Sequence, residues 1–274
     1  MKKLTGSFIK YGILLSFVLI CITPIIVMWM AALKSSEEIF KDPFSLPTIL
    51  HWENLVKAWT VGRFNKYLWN SIIVTFPTVA GVVTLSCLAG YAFGRLKFFG
   101  SKILFFIFLI GLMVPFQSIM IPMYYNLQDL KLLGSYWAMI LPAIALGLPF
   151  GIFLMQAFFH DLPMDLADAA RVDGCTEFGV FLKVMLPLAG PAVSTLIVFQ
   201  FMWTWNAFLM PLLFLNEETL RPISLGLMFF SGRYTMNYGL VAAGVTLATL
   251  PLIIIYIIFQ SQFMRGLTAG AIKG

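Results

Sequence analysis

The chain has 274 residues, of which 60% are hydrophobic and only 11% are charged. Soluble domains typically contain about 25% charged residues, so this composition excludes an ordinary soluble protein and indicates an integral membrane protein. The formal net charge of +6 lies on the segments between apolar runs, which points to membrane topology and argues against nucleic-acid binding. Two isolated histidines and three cysteines without CxxC spacing predict free thiols, no metal site and no catalytic site.

Six apolar runs are each long enough to cross the hydrocarbon core of a bilayer, which needs about 20 residues. None of them contains Asp, Glu, Lys or Arg, as expected when a charge at a helix centre costs roughly 2.5–3.5 kcal/mol. The sequence therefore predicts an all-α, polytopic membrane helix bundle with about six transmembrane helices. The runs are Tyr11–Leu33, Tyr67–Phe93, Ile103–Tyr124, Ser135–Phe159, Leu188–Leu215 and Tyr238–Met264.

Residues 1–66 combine the first span with a long outer loop, and residues 67–274 contain the other spans. In the outer loop, Trp52, Val56 and Trp59 recur at helical spacing together with Leu55. This pattern predicts a short amphipathic helix on the membrane surface. Two roles stay open for this helix, namely contact with a partner protein and anchoring in the membrane interface.

The distribution of lysine and arginine predicts which side of the membrane each loop occupies. The connection between the third and fourth spans has a single lysine, Lys131, whereas two other segments are rich in positive charge. The positive-inside rule therefore places both termini and the segment Asp161–Pro191 in the cytoplasm. The positive residues of the amino terminus and of the connection between the second and third spans are Lys2, Lys3, Lys10, Arg95, Lys97 and Lys102.

The segment Asp161–Pro191 combines charge, glycine and proline in an otherwise apolar sequence. Asp161 is predicted to cap a helix with Pro163 in its first turn. Gly174 is predicted to end that helix in a left-handed conformation. Thr176 is predicted to cap a second short helix, which Pro187 ends. Neither helix is long enough to cross a bilayer, so the segment is predicted to be a helix-turn-helix at the membrane surface.

Each of these two short helices has a predicted apolar face. In the first, Asp165, Asp168 and Arg171 are expected to stay solvated. A small apolar face beside acidic groups suits docking into a groove on another protein, and the alternative is an ordinary amphipathic surface loop. The predicted faces are Leu166, Ala169, Ala170 and Asp173 in the first helix, and Phe178, Phe181, Leu182, Met185 and Leu186 in the second.

The pattern D-A-A-x-x-D-G followed by L-P, from Asp168 to Pro187, resembles the E-A-A loop of permeases from ABC importers. Asp168 stands where that family usually has Glu, and Cys175 stands where it usually has Ala. The resemblance implies a type I ABC importer permease fold, in which this coupling loop (residues 161–191) inserts a cytoplasmic coupling helix into an ATPase subunit. The implied docking residues are Asp165, Leu166, Asp168, Ala169, Ala170, Arg171, Asp173, Gly174, Phe178 and Phe181.

The resemblance extends over most of the chain, through A-G-Y-A-F-G-R-L-K-F (Ala89–Phe98), W-T-W-N-A-F-L-M-P-L (Trp203–Leu212) and the terminal G-L-T-A-G-A-I-K-G (Gly266–Gly274). These motifs are similar to the carbohydrate-uptake permeases of the maltose-permease G-subunit type. The resemblance implies a bacterial inner-membrane protein that forms half of a pore with a second permease subunit. It also implies two ATPase subunits that bind ATP-Mg, an extracellular or periplasmic sugar-binding protein, and no cofactor on this chain. The tail at 265–274 is a second candidate contact with the ATPase dimer.

Polar groups inside the spans are amides and hydroxyls, which suit a neutral sugar. The candidate residues of the translocation path are Gln117, Gln200, Trp203 and Asn206. The alternative is that Trp203 and Trp205 belong to an interfacial aromatic belt while Gln200 joins helices. Gln117 follows Pro115, which predicts a broken or kinked span.

The last outer loop is predicted to expose a turn with an aromatic ring and a cation. By the resemblance, this turn contacts the binding protein, and the alternative is a plain hairpin with interfacial tyrosines. The residues of the turn are Ser231, Gly232, Arg233 and Tyr234.

The competing functions differ in the groups they require. No Gly-Lys dipeptide and hence no Walker A loop is present, so ATP hydrolysis is expected on a separate subunit and this chain is not expected to be an enzyme. An ion-coupled secondary carrier usually needs ionisable residues within the membrane, and the apolar runs contain none. An ABC importer permease for a solute other than sugar is the nearer alternative.

Overall fold

The computed structural model describes residues 2–233 and 237–271, with side chains for residues 10–228, 230–233 and 237–261. This part of the chain is helical throughout, with short connections. Its α-helices are α1 (Lys2–Ala32), α2 (Ser36–Lys41), α3 (Glu53–Thr60), α4 (Phe64–Arg95), α5 (Ser101–Gly111), α6 (Phe116–Asp129), α7 (Trp137–Asp161), α8 (Met164–Val172), α9 (Glu177–Val180), α10 (Leu186–Leu188), α11 (Gly190–Trp205), α12 (Leu209–Phe214), α13 (Ile223–Arg233) and α14 (Tyr238–Ala271).

Four of the described helices are individually long and apolar enough to cross a membrane, and two bent pairs bring the number of candidate spans to six. The four single spans lie in α1, α4, α7 and α14. The predicted break near Pro115 is confirmed, because α5 and α6 meet at 99° and Pro115 directly precedes α6 in an extended conformation. The second pair, Glu177–Leu188 and Gly190–Trp205, is bent by 75°.

The predicted span Leu188–Leu215 is wrong at both ends. Its helix α11 starts at Gly190 after the bend and ends at Trp205. Asn206 then caps the helix, with its side-chain nitrogen donating to the carbonyl of Met202 at 2.8 Å. The apolar run continues as the separate short helix α12. Hydrophobicity alone therefore did not reveal that the helix ends at Asn206.

The chain forms two compact units, of which the first comprises Met1–Lys66 and Gly226–Pro251. The predicted amphipathic helix of the outer loop is confirmed as α3. In this unit the ring of Phe64 packs edge-to-face on that of Phe230, with centroids 5.0 Å apart. The fully buried Lys34 donates to the carbonyl oxygens of Asp42 and Pro43 and to the hydroxyl of Ser45, over 3.1–3.3 Å.

The second unit comprises Tyr67–Leu225 and Leu252–Gly274. Its core holds α7 so close to α4 that a Cβ added at Gly90 would lie 2.5 Å from the Cβ of Met155. A glycine at this position therefore lets the two helices approach closely. The same buried cluster includes Phe159, Phe181 and Leu196, and it supports the coupling loop from one side.

Candidate functional site

The turn between α8 and α9 is held by backbone geometry. Gly174 has a φ of +80°, and no atom lies within 4 Å of the position of an added Cβ. The amide of Gly174 donates to the carbonyl of Arg171, and that of Cys175 donates to the carbonyl of Ala170, both at 3.0 Å. These bonds satisfy carbonyl groups at the end of α8. The predicted left-handed end of α8 at Gly174 is confirmed. The need for glycine comes from its positive φ, because a side chain would meet no neighbouring atom.

The predicted cap of α9 is confirmed, whereas that of α8 is wrong. The hydroxyl of Thr176 accepts a hydrogen bond from the amide of Gly179 at 3.2 Å. Asp161, by contrast, is the last residue of α7, and α8 begins after Pro163 without a side-chain cap. A residue before proline is driven out of the helical conformation, and Leu162 is accordingly extended, with a ψ of 146°.

The predicted apolar face of α8 suits docking on another protein, and the face that packs within this chain shares only Ala170 with it. Ala167 and Ala170 are buried and belong to the same cluster as Phe159 and Phe181. Leu166 and the predicted face residues Ala169 and Asp173 are instead exposed. Both buried side chains are single methyl groups that pack against this aromatic cluster.

The outward side of α8 therefore carries apolar groups on a solvated loop. Val172 is 87% exposed. We call the exposed apolar residues of α8 the docking surface, which consists of Met164, Leu166, Ala169 and Val172. The predicted docking residues Asp165 and Asp168 are also exposed.

The predicted apolar stripe of the second helix is split. Phe181 and Met185 are buried, whereas Phe178 and Leu182 are exposed. A π-helical turn over Phe181–Met185 changes the residue spacing within this helix. The predicted stop at Pro187 is also wrong, because helical structure extends to Leu188.

Phe178 and Leu182 border an apolar cleft of about 440 Å³. Its other side is formed by α4, through residues that include Thr84 and Leu88. The predicted docking residue Phe178 therefore lies at the mouth of a cleft in this chain, apart from the docking surface.

An ion-pair network joins the two short helices across the glycine turn. Arg171 forms a fork on the carboxylate of Glu177, with both nitrogen–oxygen distances at 3.1 Å. The same guanidinium lies 2.6 Å from the carboxylate of Asp168. Its hydrogen bonds to Glu177 and Asp168 raise the pKa of Arg171, so the guanidinium stays charged. Two-pronged pairs of this kind fix orientation as well as distance.

The network continues to α4. The hydroxyl of Tyr91 donates to the carboxylate of Glu177, and the ring of Tyr91 packs against Phe159 and Phe181, with centroids 5.6 and 5.1 Å apart. One turn further along α4, Arg95 donates to the carbonyl of Leu162. The coupling loop is thus attached to one transmembrane helix at two points.

Glu177, Tyr91 and Arg95 belong to this site but are not among its predicted residues. Arg171 was expected to be solvated, yet it connects two helices. The available signal was the opposite charge of Arg171 and Glu177 on the two sides of the Gly174 turn. No comparable signal marks Tyr91, because its partner lies 86 residues away in the chain.

Two of the four predicted path residues lie together. Gln200 and Trp203 line a cavity of about 160 Å³ that also borders Gly147. Asn206 and Gln117 are exposed and lie elsewhere. Gln200 is only 3% exposed, and its amide nitrogen donates to the hydroxyl of Thr204 at 3.2 Å. A role in the path stays a prediction for all four.

The aromatic-belt alternative is wrong for Trp205. This residue is 2% exposed and stacks on Phe201 with a centroid distance of 5.2 Å. Trp203 is half exposed, and its ring lies 5.0 Å from that of Phe150. The two tryptophans of this motif therefore have different environments.

The predicted turn near the end of the chain is helical at its first three residues. Ser231, Gly232 and Arg233 are the last residues of α13, and Gly232 and Arg233 are exposed as predicted. The preceding residue, Phe230, is buried against Phe64. Tyr234 lies outside the described residues. In the predicted tail at 265–274, residues up to Ala271 continue α14, and residues 272–274 lie outside the described part.

The model of the family "binding-protein-dependent transport system inner membrane component" matches residues 83–268. The chain belongs to this family. It is 38% identical to the probable ABC transporter permease YurM of Bacillus subtilis, covering 92% of this chain and 83% of the relative. It is 33% identical to the arabinooligosaccharide permease AraQ of Halalkalibacterium halodurans over the full length of both. It is 30% identical to the diacetylchitobiose permease NgcG of Streptomyces coelicolor, covering 97% and 88%.

The fold of this permease matches that of a solved transporter chain. The match is to a bacterial ABC transporter involved in the import of alginate, with a TM-score of 0.79 and 23% identity, over 96% of this chain and 98% of the other. The predicted all-α permease fold with its polytopic helix bundle is confirmed.

Proposed function

We propose that this permease is a transmembrane subunit of an ATP-driven, binding-protein-dependent importer of a carbohydrate, and that it forms half of the translocation pore. Membership of a binding-protein-dependent transport family supports the transport role. The arabinooligosaccharide and diacetylchitobiose permeases among its relatives support a carbohydrate as cargo.

The observation that carries the coupling role is an exposed apolar surface on a firmly attached loop. The docking surface leaves Val172 almost fully exposed on a segment rich in charge, and exposed apolar patches mark interaction sites. An ATPase subunit is the proposed partner. This chain binds no cofactor, and ATP-Mg is bound and hydrolysed on two such ATPase subunits.

The attachment of the loop suggests how motion passes into the membrane. Closure of the ATPases on ATP displaces α8, and the fork between Arg171 and Glu177 makes α8 and α9 move together. Tyr91 and Arg95 pass that displacement to α4. A helix that can occupy two positions is the kind of element that a binding partner biases.

The proposed topology follows from the charge distribution and the coupling role. The coupling loop must face the ATPases, so it lies in the cytoplasm of a bacterial cell with both termini. A second permease subunit completes the pore, and an extracellular or periplasmic binding protein delivers the sugar on the opposite side.

The proposal is tested by reconstituting this chain with the subunits that co-purify with it and measuring ATPase activity. Binding proteins loaded with arabino-, chito- or malto-oligosaccharides, amino acids or phosphate are compared. We expect stimulation by a sugar-loaded binding protein only. Stimulation by an amino acid or phosphate would replace the carbohydrate assignment, and uptake without any ATPase subunit would overturn the transporter class.

A further inference from the structure

The helix α3 has three distinct faces. Asn54 and Ala58 are buried within the first unit. Glu53 and Lys57 form a polar, exposed face. A third face, which we call the α3 stripe, consists of Trp52, Val56 and Trp59 at helical spacing, and all three are exposed. The first face packs on protein and the second suits contact with water. The third face is apolar and exposed, so its surroundings remain to be identified.

The level of α3 relative to the membrane follows from its hydrogen bonds. The side-chain nitrogen of Asn54 donates to the carbonyl oxygens of Ala32 and Lys34 at 3.2 and 3.1 Å. Ala32 is the last residue of α1, a candidate span whose most apolar stretch contains no buried residue. The helix α3 is therefore attached where a candidate span ends.

A second span begins at the same level. The amide of Tyr238, the first residue of α14, donates to the hydroxyl of Ser36 at 3.1 Å. A Cβ added to Gly239 would collide with the carbonyl of Lys34 and the side chain of Asn54. The end of α1, the start of α14 and the buried face of α3 therefore meet in one place, which is the height of the membrane interface.

We propose that the α3 stripe is a lipid-binding surface that inserts between the headgroups and upper acyl chains of the bilayer. Indole rings concentrate at this depth because they combine an apolar body with a polar N–H group. The carboxylate of Glu53 and the ammonium of Lys57 face away from the stripe toward water. The connection before α3 also has exposed apolar side chains, at Phe44 and Leu46.

A protein partner is the other occupant that an apolar face could have. The position of α3 favours lipid, because α3 lies where α1 ends and α14 begins and two of the three stripe residues are tryptophans, which concentrate at the interface. The inference requires only that α1 and α14 cross a membrane, and it holds for any cargo.

The test is collision accessibility of nitroxide labels in the intact transporter complex, in nanodiscs of phosphatidylethanolamine and phosphatidylglycerol. Cys21, Cys87 and Cys175 are first replaced by serine, and a label is attached at Val56→Cys. The matched control is Lys57→Cys, one residue away on the polar face. We expect the label at position 56 to collide several-fold more with oxygen than with a water-soluble nickel chelate, and the label at 57 to show the reverse.

Low accessibility to both reagents at position 56 would show that protein covers the stripe, and high accessibility to the nickel chelate would show that it lies in water. Either result overturns the proposal. A measurement without cysteine replacement compares the native complex with the variant Trp52→Phe/Trp59→Phe in nanodiscs containing brominated lipid. We expect the variant to lose part of the fluorescence that bromine quenches, and an unchanged quenched fraction would also overturn the proposal.

Discussion

At the scale of single residues, Gly174 shows that a position with free space around it can still require glycine. Its φ of +80° lies in the left-handed region, where a side chain costs roughly 1–2 kcal/mol in an L-residue. A cost of this size is enough to shift the turn that connects α8 and α9.

We expect Gly174→Ala to lower transport and binding-protein-stimulated ATPase activity while leaving membrane insertion unchanged. The matched control is Gly190→Ala, because an added Cβ there also meets no atom within 4 Å and no positive φ is involved. Uptake assays and membrane fractionation of both variants check the prediction. Equal activity of the two variants would show that the left-handed turn is not needed for coupling.

Glu177 is the residue on which the network converges, since it accepts hydrogen bonds from both Arg171 and Tyr91. We expect Glu177→Gln to reduce the amount of sugar transported per ATP hydrolysed, because a neutral amide cannot form the charged fork. The effect on folding should be small, about 0.2–1 kcal/mol as for other exposed ion pairs. Lys183→Gln removes an exposed charge from the same loop, outside the predicted docking residues, and is the control. A normal ratio of transport to hydrolysis in Glu177→Gln would argue against the network as a coupling element.

At the scale of elements, α8 presents apolar groups to water while its inner face is limited to alanine. We expect Val172→Glu to abolish or strongly weaken co-purification with the ATPase subunits, because a charge would be buried on docking. Val172→Thr keeps the branched shape and should retain most of the interaction. If the glutamate variant still binds the ATPase normally, the partner contacts a different part of the loop.

The segment between α1 and α3 depends on a buried lysine rather than on an apolar core. Lys34 satisfies two carbonyl groups and one hydroxyl, and leaving a buried polar group without its partner costs about 1–3 kcal/mol. We expect Lys34→Met to increase proteolytic cleavage near Asp42–Ser45. Lys41→Met, at an exposed lysine in α2, should not. Equal cleavage of both variants would mean that the three hydrogen bonds of Lys34 contribute little.

At the scale of the whole molecule, the apolar runs predicted where most spans lie because burial in lipid leaves a long and unambiguous pattern. Pro115 likewise marked the break between α5 and α6, since proline has a local backbone effect. The bend between Leu188 and Gly190 has the same kind of signal in Pro187, Gly190 and Pro191, but the predicted start of the span was set by hydrophobicity alone. Hydrophobicity predicts that a segment is buried in lipid, but it does not predict where the axis of the helix bends.

The same distinction applies to the candidate site. Gly174 and Thr176 were predictable, because turn and cap preferences are local. The inward face of α8 was not, since burial of Ala167 and exposure of Leu166 depend on how α8 packs against the cluster of Phe159 and Phe181. The contact between Tyr91 and Glu177 depends on tertiary structure alone.

The double attachment of the coupling loop restricts what kind of motion can reach α4. Tyr91 and Arg95 are four residues apart, or about 6 Å along a helix at a rise of 1.5 Å per residue. With a single attachment the loop could rotate about that contact, and its displacement would not be passed to α4. Two attachment points on α4 resist rotation of the loop, so that only translation or tilting of α4 remains. Loss of either contact would let the loop rotate without moving α4.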